Sequence, residues 1–95
     1  MKWPACRQAG IHAIMWYVYV LKSLSKNDFY KGLTDNLDRR LRQHFSAQVV
    51  STRLKLPLEL IHVEICESRV EARRVEKFFK SGFGREVIKE LTGTL

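Results

Sequence analysis

The chain has 95 residues, of which 45% are hydrophobic and 28% charged, and this is the composition of one globular domain rather than of a disordered segment. Lys and Arg number 17 against 10 Asp and Glu, and the resulting net charge of +7 favours polyanionic partners, nucleic acid first. No apolar run is long enough to cross a membrane. The two cysteines form neither a disulfide framework nor a CxxC zinc pair, so they favour a reducing compartment and a cytoplasmic protein.

The first 14 residues differ from the rest of the chain because they show no hydrophobic periodicity. They also lack the continuous apolar segment that a signal peptide needs. Met15 lies directly before the first strand-like stretch. We therefore predict that residues 1–14 are a disordered tail or a mis-assigned start, and that residues 15–95 form the folded domain.

Two neighbouring stretches predict a β-hairpin. Residues 16–21 (WYVYVL) are aromatic and β-branched and predict a strand that is buried on both faces. Residues 28–33 (DFYKGL) predict a second strand. The turn-rich connection between them is short, so the two strands are expected to pair antiparallel.

The expected register of this hairpin gathers three phenols. If Tyr19 pairs with Tyr30, Tyr17 pairs with Gly32, and all three tyrosines share one face of the sheet. Lys31 then lies on the opposite face. Three phenols on one face can handle protons, and Gly32 allows a ligand or another backbone to approach. Aromatic pairs also stabilise hairpins without any further role, and from the tyrosines alone that structural interpretation is favoured.

The stretch LDRRLRQHF (37–45) follows three good N-cap residues and predicts an amphipathic helix. Its apolar residues recur at helical spacing and are expected to be buried: Leu37, Leu41 and Phe45. Arg40 and His44 lie four residues apart at one edge of that stripe, where they can reach into a cleft above the sheet. Arginine is suited to bind phosphate because its planar guanidinium can donate two parallel hydrogen bonds.

The remainder predicts a loop over residues 47–57, a third strand over 58–65 and two helices. Ser68 begins a capping box for the first of these helices, Gly82 is expected to end it, and residues 84–91 form the second. The expected buried residues of the two helices are Ala72, Val75, Phe78, Phe79, Val87, Ile88 and Leu91. The predicted fold class is α/β, a β-β-α-β-α-α sandwich in which helices flank a small three-stranded mixed sheet.

Glu76 lies beside the apolar stripe of the predicted helix that Ser68 opens. A carboxylate at the edge of a core face is well placed to hold Mg²⁺, which commonly takes one or two carboxylates, several waters and substrate phosphate. An ion pair between Glu76 and Lys80, four residues later, explains the same position equally well.

Taken together, these features resemble the GIY-YIG nuclease family. The two elements that name the family are matched by YVY at 17–19 and YKG at 30–32. The family's helix with an arginine four residues before a histidine is matched by Arg40 and His44. Its metal-binding glutamate, in an A-x-x-x-E pattern, is matched by Glu76. The resemblance covers about residues 15–91 and is nearest to the small single-domain branch, which is similar to the nuclease domain of the excinuclease C subunit.

The resemblance implies a metal-dependent endonuclease that hydrolyses phosphodiester bonds, in DNA more than in RNA, with a place in DNA repair. The small size of the domain leaves little surface for reading sequence, so structure-selective or low-specificity cleavage is expected. One Mg²⁺ or Mn²⁺ ion would be bound by Glu76. The implied catalytic residues are Tyr19, Tyr30, Arg40, His44 and Glu76. The basic residues expected to contact nucleic acid are Arg39, Arg42, Arg53, Lys55 and Lys80, although for Arg39 and Arg42 alone a solvated helix face is the preferred interpretation. A protein partner that delivers the substrate is also expected, and no membrane partner.

Three other functions remain open from the residues. A non-catalytic nucleic-acid-binding module could use basic helices and sheet aromatics, as RNA-recognition sheets do, although such sheets have four strands and only three are predicted here. A protein-interaction domain could present its basic face to an acidic partner. Binding to a membrane surface is disfavoured by the mixed charges of the last helix.

Overall fold

The computed structural model describes residues 14–93. The predictions for the N-terminal tail, apart from its last residue, and for Cys6 lie outside the described residues. The elements in chain order are β1 Trp16–Ser23, β2 Phe29–Thr34, α1 Leu37–Phe45, a 3₁₀ turn Arg53–Lys55, β3 Leu58–Cys66, α2 Arg69–Lys80 and α3 Gly82–Thr92. This order confirms the predicted α/β class and the β-β-α-β-α-α arrangement. Within residues 14–93, no helix is both long and apolar enough to span a bilayer.

The sheet has three strands in the order β2-β1-β3, with β1 in the centre. Both neighbours run antiparallel to β1, so the prediction of a mixed sheet was wrong. The physical reason is that the chain leaves β2, passes through α1 and the following loop, and returns on the far side of β1. The strands β2 and β3 therefore point in the same direction but never pair.

The register of the hairpin differs from the prediction by two residues. Tyr19 lies opposite Gly32 and Tyr30 lies opposite Leu21, because the connection is a longer loop closed by the Ser23 amide donating to the Asp28 carbonyl at 2.9 Å. A two-residue shift keeps every side chain on its face. The predicted grouping of the tyrosines on one face of the sheet is therefore retained.

The apolar core lies on the face of the sheet opposite the tyrosines. Val18 and Val20 of β1 are fully buried there against Ala72 and Phe79 of α2 and Ile88 of α3. The two helices thus cover one face of the sheet. The opposite face is left to α1 and to the loop that follows it.

The junction between α2 and α3 is tighter than the sequence indicated. Ser81 ends α2 and also caps α3, where its hydroxyl accepts from the Gly84 amide at 3.1 Å. Gly82 therefore begins α3, and the prediction that it ends the preceding helix was wrong. A Cβ at Gly84 would lie 1.9 Å from the Phe78 carbonyl oxygen, so a glycine is required where the helices meet. The side chains of Phe78 and Leu91, which were expected to be buried, turn outward and are 40% and 49% exposed.

The burial of α1 also differs from the prediction. Phe45, expected in the core, is 45% exposed, whereas His44 is completely buried. The helix meets the sheet through the edge that carries Arg40 and His44, because it packs on the phenol-bearing face rather than on the apolar one. Asn36 caps its first turn by accepting from the Arg39 amide at 3.1 Å.

Candidate active site

The phenol-bearing face begins with a close cross-strand pair. Tyr19 is only 1% exposed, and its ring lies directly over Gly32 of β2. A Cβ at Gly32 would be 2.5 Å from the Tyr19 hydroxyl oxygen and 2.7 Å from its Cζ. The glycine of the YKG element therefore makes room for the tyrosine of the YVY element. The sequence correctly indicated a close approach at Gly32, but the approaching group is Tyr19 itself.

A buried chain of hydrogen bonds extends from Tyr19 through α1. The Tyr19 hydroxyl lies 2.8 Å from His44 Nε2, and His44 Nδ1 lies 2.8 Å from Thr52 Oγ1. His44 and Thr52 are both 0% exposed. We call Tyr19, His44 and Thr52 the buried triad. Thr52 precedes the 3₁₀ turn in the stretch predicted as a loop, and nothing in the sequence distinguished it from the other loop hydroxyls.

Burial sets the charge state of the triad. It raises the pKa of Tyr19 to about 12, against the opposing effect of the Arg40 guanidinium. It lowers the pKa of His44 to about 4, and the positive charge of Arg40 adds to that effect. Phenol and imidazole are therefore both neutral near pH 7. Two proton arrangements satisfy the hydrogen bonds: the phenol donates to Nε2 while Nδ1–H donates to Thr52, or both bonds run the opposite way.

Tyr30 and Arg40 complete the cluster on its outer side. The Tyr30 ring centroid lies 4.9 Å from that of His44 and 6.2 Å from that of Tyr19. Arg40, on α1, is partly buried and interacts with both phenols, with Tyr19 as the larger cause of its raised pKa. Its Nη1 donates to Gln43 Oε1 at 3.0 Å. Four of the five predicted catalytic side chains are thus brought together.

Glu76, the fifth predicted residue, lies elsewhere. It belongs to α2, which packs on the sheet face opposite the phenols. Its side chain is 15% exposed, and its Oε2 lies 3.4 Å from Lys80 Nζ, so the ion pair weighed from the sequence is present. Glu76 and Tyr30 therefore belong to opposite sides of a sheet in which β2 is an edge strand.

The ligands around Glu76 suit a metal ion that is shared with substrate and water rather than one that protein side chains enclose. Within residues 14–93, no group of three or more His, Cys, Asp or Glu side chains lies close enough together to hold a metal ion. Glu76 Oε1 accepts no hydrogen bond from this part of the chain, since its one ion pair uses Oε2. One free carboxylate oxygen suits a Mg²⁺ or Mn²⁺ ion that takes its other ligands from water and phosphate.

The basic residues expected to contact nucleic acid fall into two groups. Three of them pair with carboxylates, namely Arg42 with Asp38, Lys55 with Asp28 at 2.6 Å, and Lys80 with Glu76. Arg39 and Arg53 are exposed and form no ion pair within residues 14–93.

Comparison with known proteins gives a consistent result. The model of the family described as the GIY-YIG catalytic domain matches residues 15–89. A UPF0213 protein of Limosilactobacillus reuteri is 39% identical over 79 residues, which are 80% of this chain and 81% of that protein. A UPF0213 protein of Streptococcus agalactiae is 38% identical over 67% of this chain and 73% of its own length. The solution NMR structure of a UPF0213 protein from Bacillus halodurans is 32% identical, with a TM-score of 0.51, over 83% of this chain and 86% of that one.

Proposed function

Because this chain belongs to the GIY-YIG family, and within it groups with the small UPF0213 proteins, we propose that it is a metal-dependent endonuclease that hydrolyses phosphodiester bonds in nucleic acid. The observation that carries the proposal is the convergence of Tyr19, Tyr30, Arg40 and His44 from three separate elements on one face of the sheet. A packed core has no need of this arrangement.

The two tyrosines differ in their access to solvent, and this difference divides their roles. Tyr19 is 1% exposed and engaged with His44, so it cannot meet an attacking water in this arrangement. Tyr30 is only partly buried and lies beside Arg40. Tyr30 therefore accepts a hydrogen bond from the attacking water and orients it, while the buried triad holds the neighbouring groups in position.

Arg40 supplies the positive charge of the site. Its guanidinium cannot lose its proton near neutral pH, and the adjacent phenols raise its pKa further. The planar guanidinium of Arg40, on the outer side of the cluster, can donate two parallel hydrogen bonds to the non-bridging oxygens of a phosphate. These bonds strengthen as negative charge develops on the phosphoryl oxygens in the transition state.

Glu76 would hold a single Mg²⁺ or Mn²⁺ ion together with water and a phosphate of the substrate. When bound, that ion supplies charge neutralisation at the phosphate and the leaving oxygen. The free Oε1 of Glu76 and its position on the helix that overlies β1 and β2 support this assignment. A substrate strand that passes around the edge of β2 would meet both Glu76 and the phenol cluster.

The substrate we propose is DNA rather than RNA, cut with structural preference or low specificity inside the cytoplasm. The net charge of +7 supports a polyanionic substrate. A domain of this small size leaves little surface for reading sequence once the site is built, so a protein partner would bring it to its target in repair. Basic residues outside the cluster, including the exposed Arg39 and Arg53, would contact the phosphate backbone.

A nicking assay on supercoiled, branched and single-stranded DNA with Mg²⁺ or Mn²⁺ tests this function. Glu76→Gln and Arg40→Ala should each abolish cleavage while the thermal unfolding curve stays cooperative. The matched controls are Glu90→Gln and Arg74→Ala, which remove the same groups at exposed positions and should cleave close to the wild-type rate. Unchanged cleavage by both site variants would reject this site, and tight binding with no cleavage by the wild type would favour a non-catalytic binding module.

A further inference from the structure

A second cleft lies on the sheet face opposite the phenols, away from the four clustered residues. It has a volume of about 650 Å³, and its walls are the end of the hairpin loop, the start of β2 and one side of α3. The residues that matter most for its chemistry are Asp28, Phe29, Lys31, Arg85, Glu86 and Lys89. The volume falls in the range of sites that hold a nucleotide-sized ligand.

The charges in this cleft are unbalanced. Its two carboxylates are already engaged, Asp28 with Lys55 at 2.6 Å and Glu86 with Lys89 at 3.5 Å. Lys31 and Arg85 form no ion pair within residues 14–93. The cleft therefore presents two cations that form no ion pair with this part of the chain, although Asp28 partly offsets the charge of Lys31.

Lys31 is an unusual residue to find here. It lies on the apolar face of the sheet, next to Phe29 and in the same cleft as Ile88 of the core. Burial lowers the pKa of its ammonium group, and the charge of Arg85 adds to the effect, with smaller contributions from Lys80 and Lys55 opposed by Asp28. Like charges held together at a partly buried position cost free energy that a bound anion would recover.

The cleft is electrostatically continuous with Glu76. Lys80 pairs with Glu76 at 3.4 Å and also contributes to the positive potential at Lys31. Lys80 therefore connects Glu76 with the cleft that contains Lys31 and Arg85.

We propose that this cleft is a second phosphate-binding site, in which Lys31 and Arg85 hold the backbone of the substrate strand beyond the point of cleavage. The proposal rests on the proposed function for its substrate. It adds a site, formed by the hairpin loop, β2 and α3, that anchors the strand rather than cutting it. Lys80 connects this site to Glu76.

Binding of fluorescein-labelled DNA, measured by anisotropy in EDTA over a range of salt concentrations, tests the proposal without requiring cleavage. The double variant Lys31→Gln/Arg85→Gln should bind about tenfold or more weakly, and the slope of log K against log salt should fall by about 1.8, since each lost phosphate contact removes about 0.9. Arg85→Gln alone, at an exposed position, should lower the slope by about half as much.

The matched control is Lys77→Gln/Arg73→Gln, which removes the same two residue types from exposed positions on α2. It should change the affinity by no more than about twofold to threefold, as loss of net charge alone would. Equal weakening by the two double variants would overturn the proposal. The wild-type chain could fail to cleave DNA while the cleft variant still binds more weakly than the control variant. That result would refute the nuclease function and still support the phosphate-binding cleft.

A titration with inorganic phosphate at constant ionic strength separates the two sources of the anion. If free phosphate displaces the labelled oligonucleotide only at concentrations far above the concentration of DNA phosphates needed for binding, the cleft is a site for a strand. Tighter binding of free phosphate than of DNA, lost in Lys31→Gln/Arg85→Gln, would overturn the assignment to a strand.

Discussion

Replacing Thr52 with valine isolates the innermost hydrogen bond of the buried triad. Valine keeps the shape of threonine but removes Oγ1, which lies 2.8 Å from His44 Nδ1 at a position where both residues are 0% exposed. The imidazole nitrogen is then left without a partner and out of reach of water. An unpaired buried polar group costs about 1–3 kcal/mol, so the melting temperature should fall by about 4–24 °C for a domain of this size.

Thr52→Ser is the matched control because it keeps the hydroxyl and loses only a methyl group, at about 1 kcal/mol. Thermal and urea unfolding give the stability difference, and the ring-nitrogen chemical shifts of His44 report its tautomer. We expect Thr52→Val to be less stable than Thr52→Ser and to alter or mix the tautomers. Equal stability of the two variants, with identical His44 nitrogen shifts, would refute the idea that Thr52 fixes the imidazole.

Three further predictions concern stability. First, stability should fall as the pH drops from 6.5 toward 4, because the unfolded chain protonates His44 near 6.5 whereas the folded chain does so only near 4. The full loss approaches about 3 kcal/mol and levels off below the folded pKa, and urea unfolding at stepped pH should show this slope in the wild type and a flatter profile in His44→Gln. Second, Gly32→Ala should destabilise the domain by about 1–3 kcal/mol, because the new Cβ displaces the ring of Tyr19. Gly82→Ala, where a Cβ meets nothing within 4 Å, is its control and should be neutral or slightly stabilising in the same melting experiment. Third, Gly84→Ala should be more damaging than Gly32→Ala, since its Cβ would meet a backbone carbonyl oxygen of α2 at 1.9 Å and a backbone atom cannot rotate away; equal melting temperatures for these two variants would contradict that argument.

The elements of the fold and its family were readable from the sequence because both depend on local patterns. The aromatic and β-branched run at residues 16–21 and the helical spacing after Asn36 and Ser68 specify elements directly, and the structure confirms each of them. The ordered motifs around Tyr19, Arg40 and Glu76 indicated the GIY-YIG family, which the family match over residues 15–89 confirms.

The wrong predictions concern features of the fold that tertiary contacts determine. The hairpin register depended on the length of the loop after Ser23, and face alternation is unchanged by a shift of two residues, so the tyrosine face was predicted correctly from a wrong pairing. The antiparallel sheet depends on the side of β1 to which the chain returns after α1, which no local pattern records. The exposure of Phe45 and the burial of His44 follow from a helix that packs on a polar face, which a hydrophobic stripe does not predict.

The site itself was partly predictable. Motif spacing identified Tyr19, Tyr30, Arg40 and His44, which the structure brings together. Thr52 was missed because a hydroxyl in a loop becomes informative only when the fold places it against His44. The catalytic roles of these residues stay predictions until cleavage is measured.

The central claim is that an accessible phenol beside Arg40 serves phosphodiester cleavage, and comparison of Tyr30→Phe with the wild type in metal-dependent nicking tests it most directly. Loss of this hydroxyl leaves the buried triad intact, so the domain should melt within a few degrees of the wild type. We predict nicking by the wild type with Mn²⁺ or Mg²⁺, none with EDTA, and a loss of about 100-fold or more in Tyr30→Phe, in line with the usual contribution of a proton-handling group. Nicking by Tyr30→Phe at the wild-type rate would contradict the claim, and so would a wild-type chain that cuts no polynucleotide with either ion.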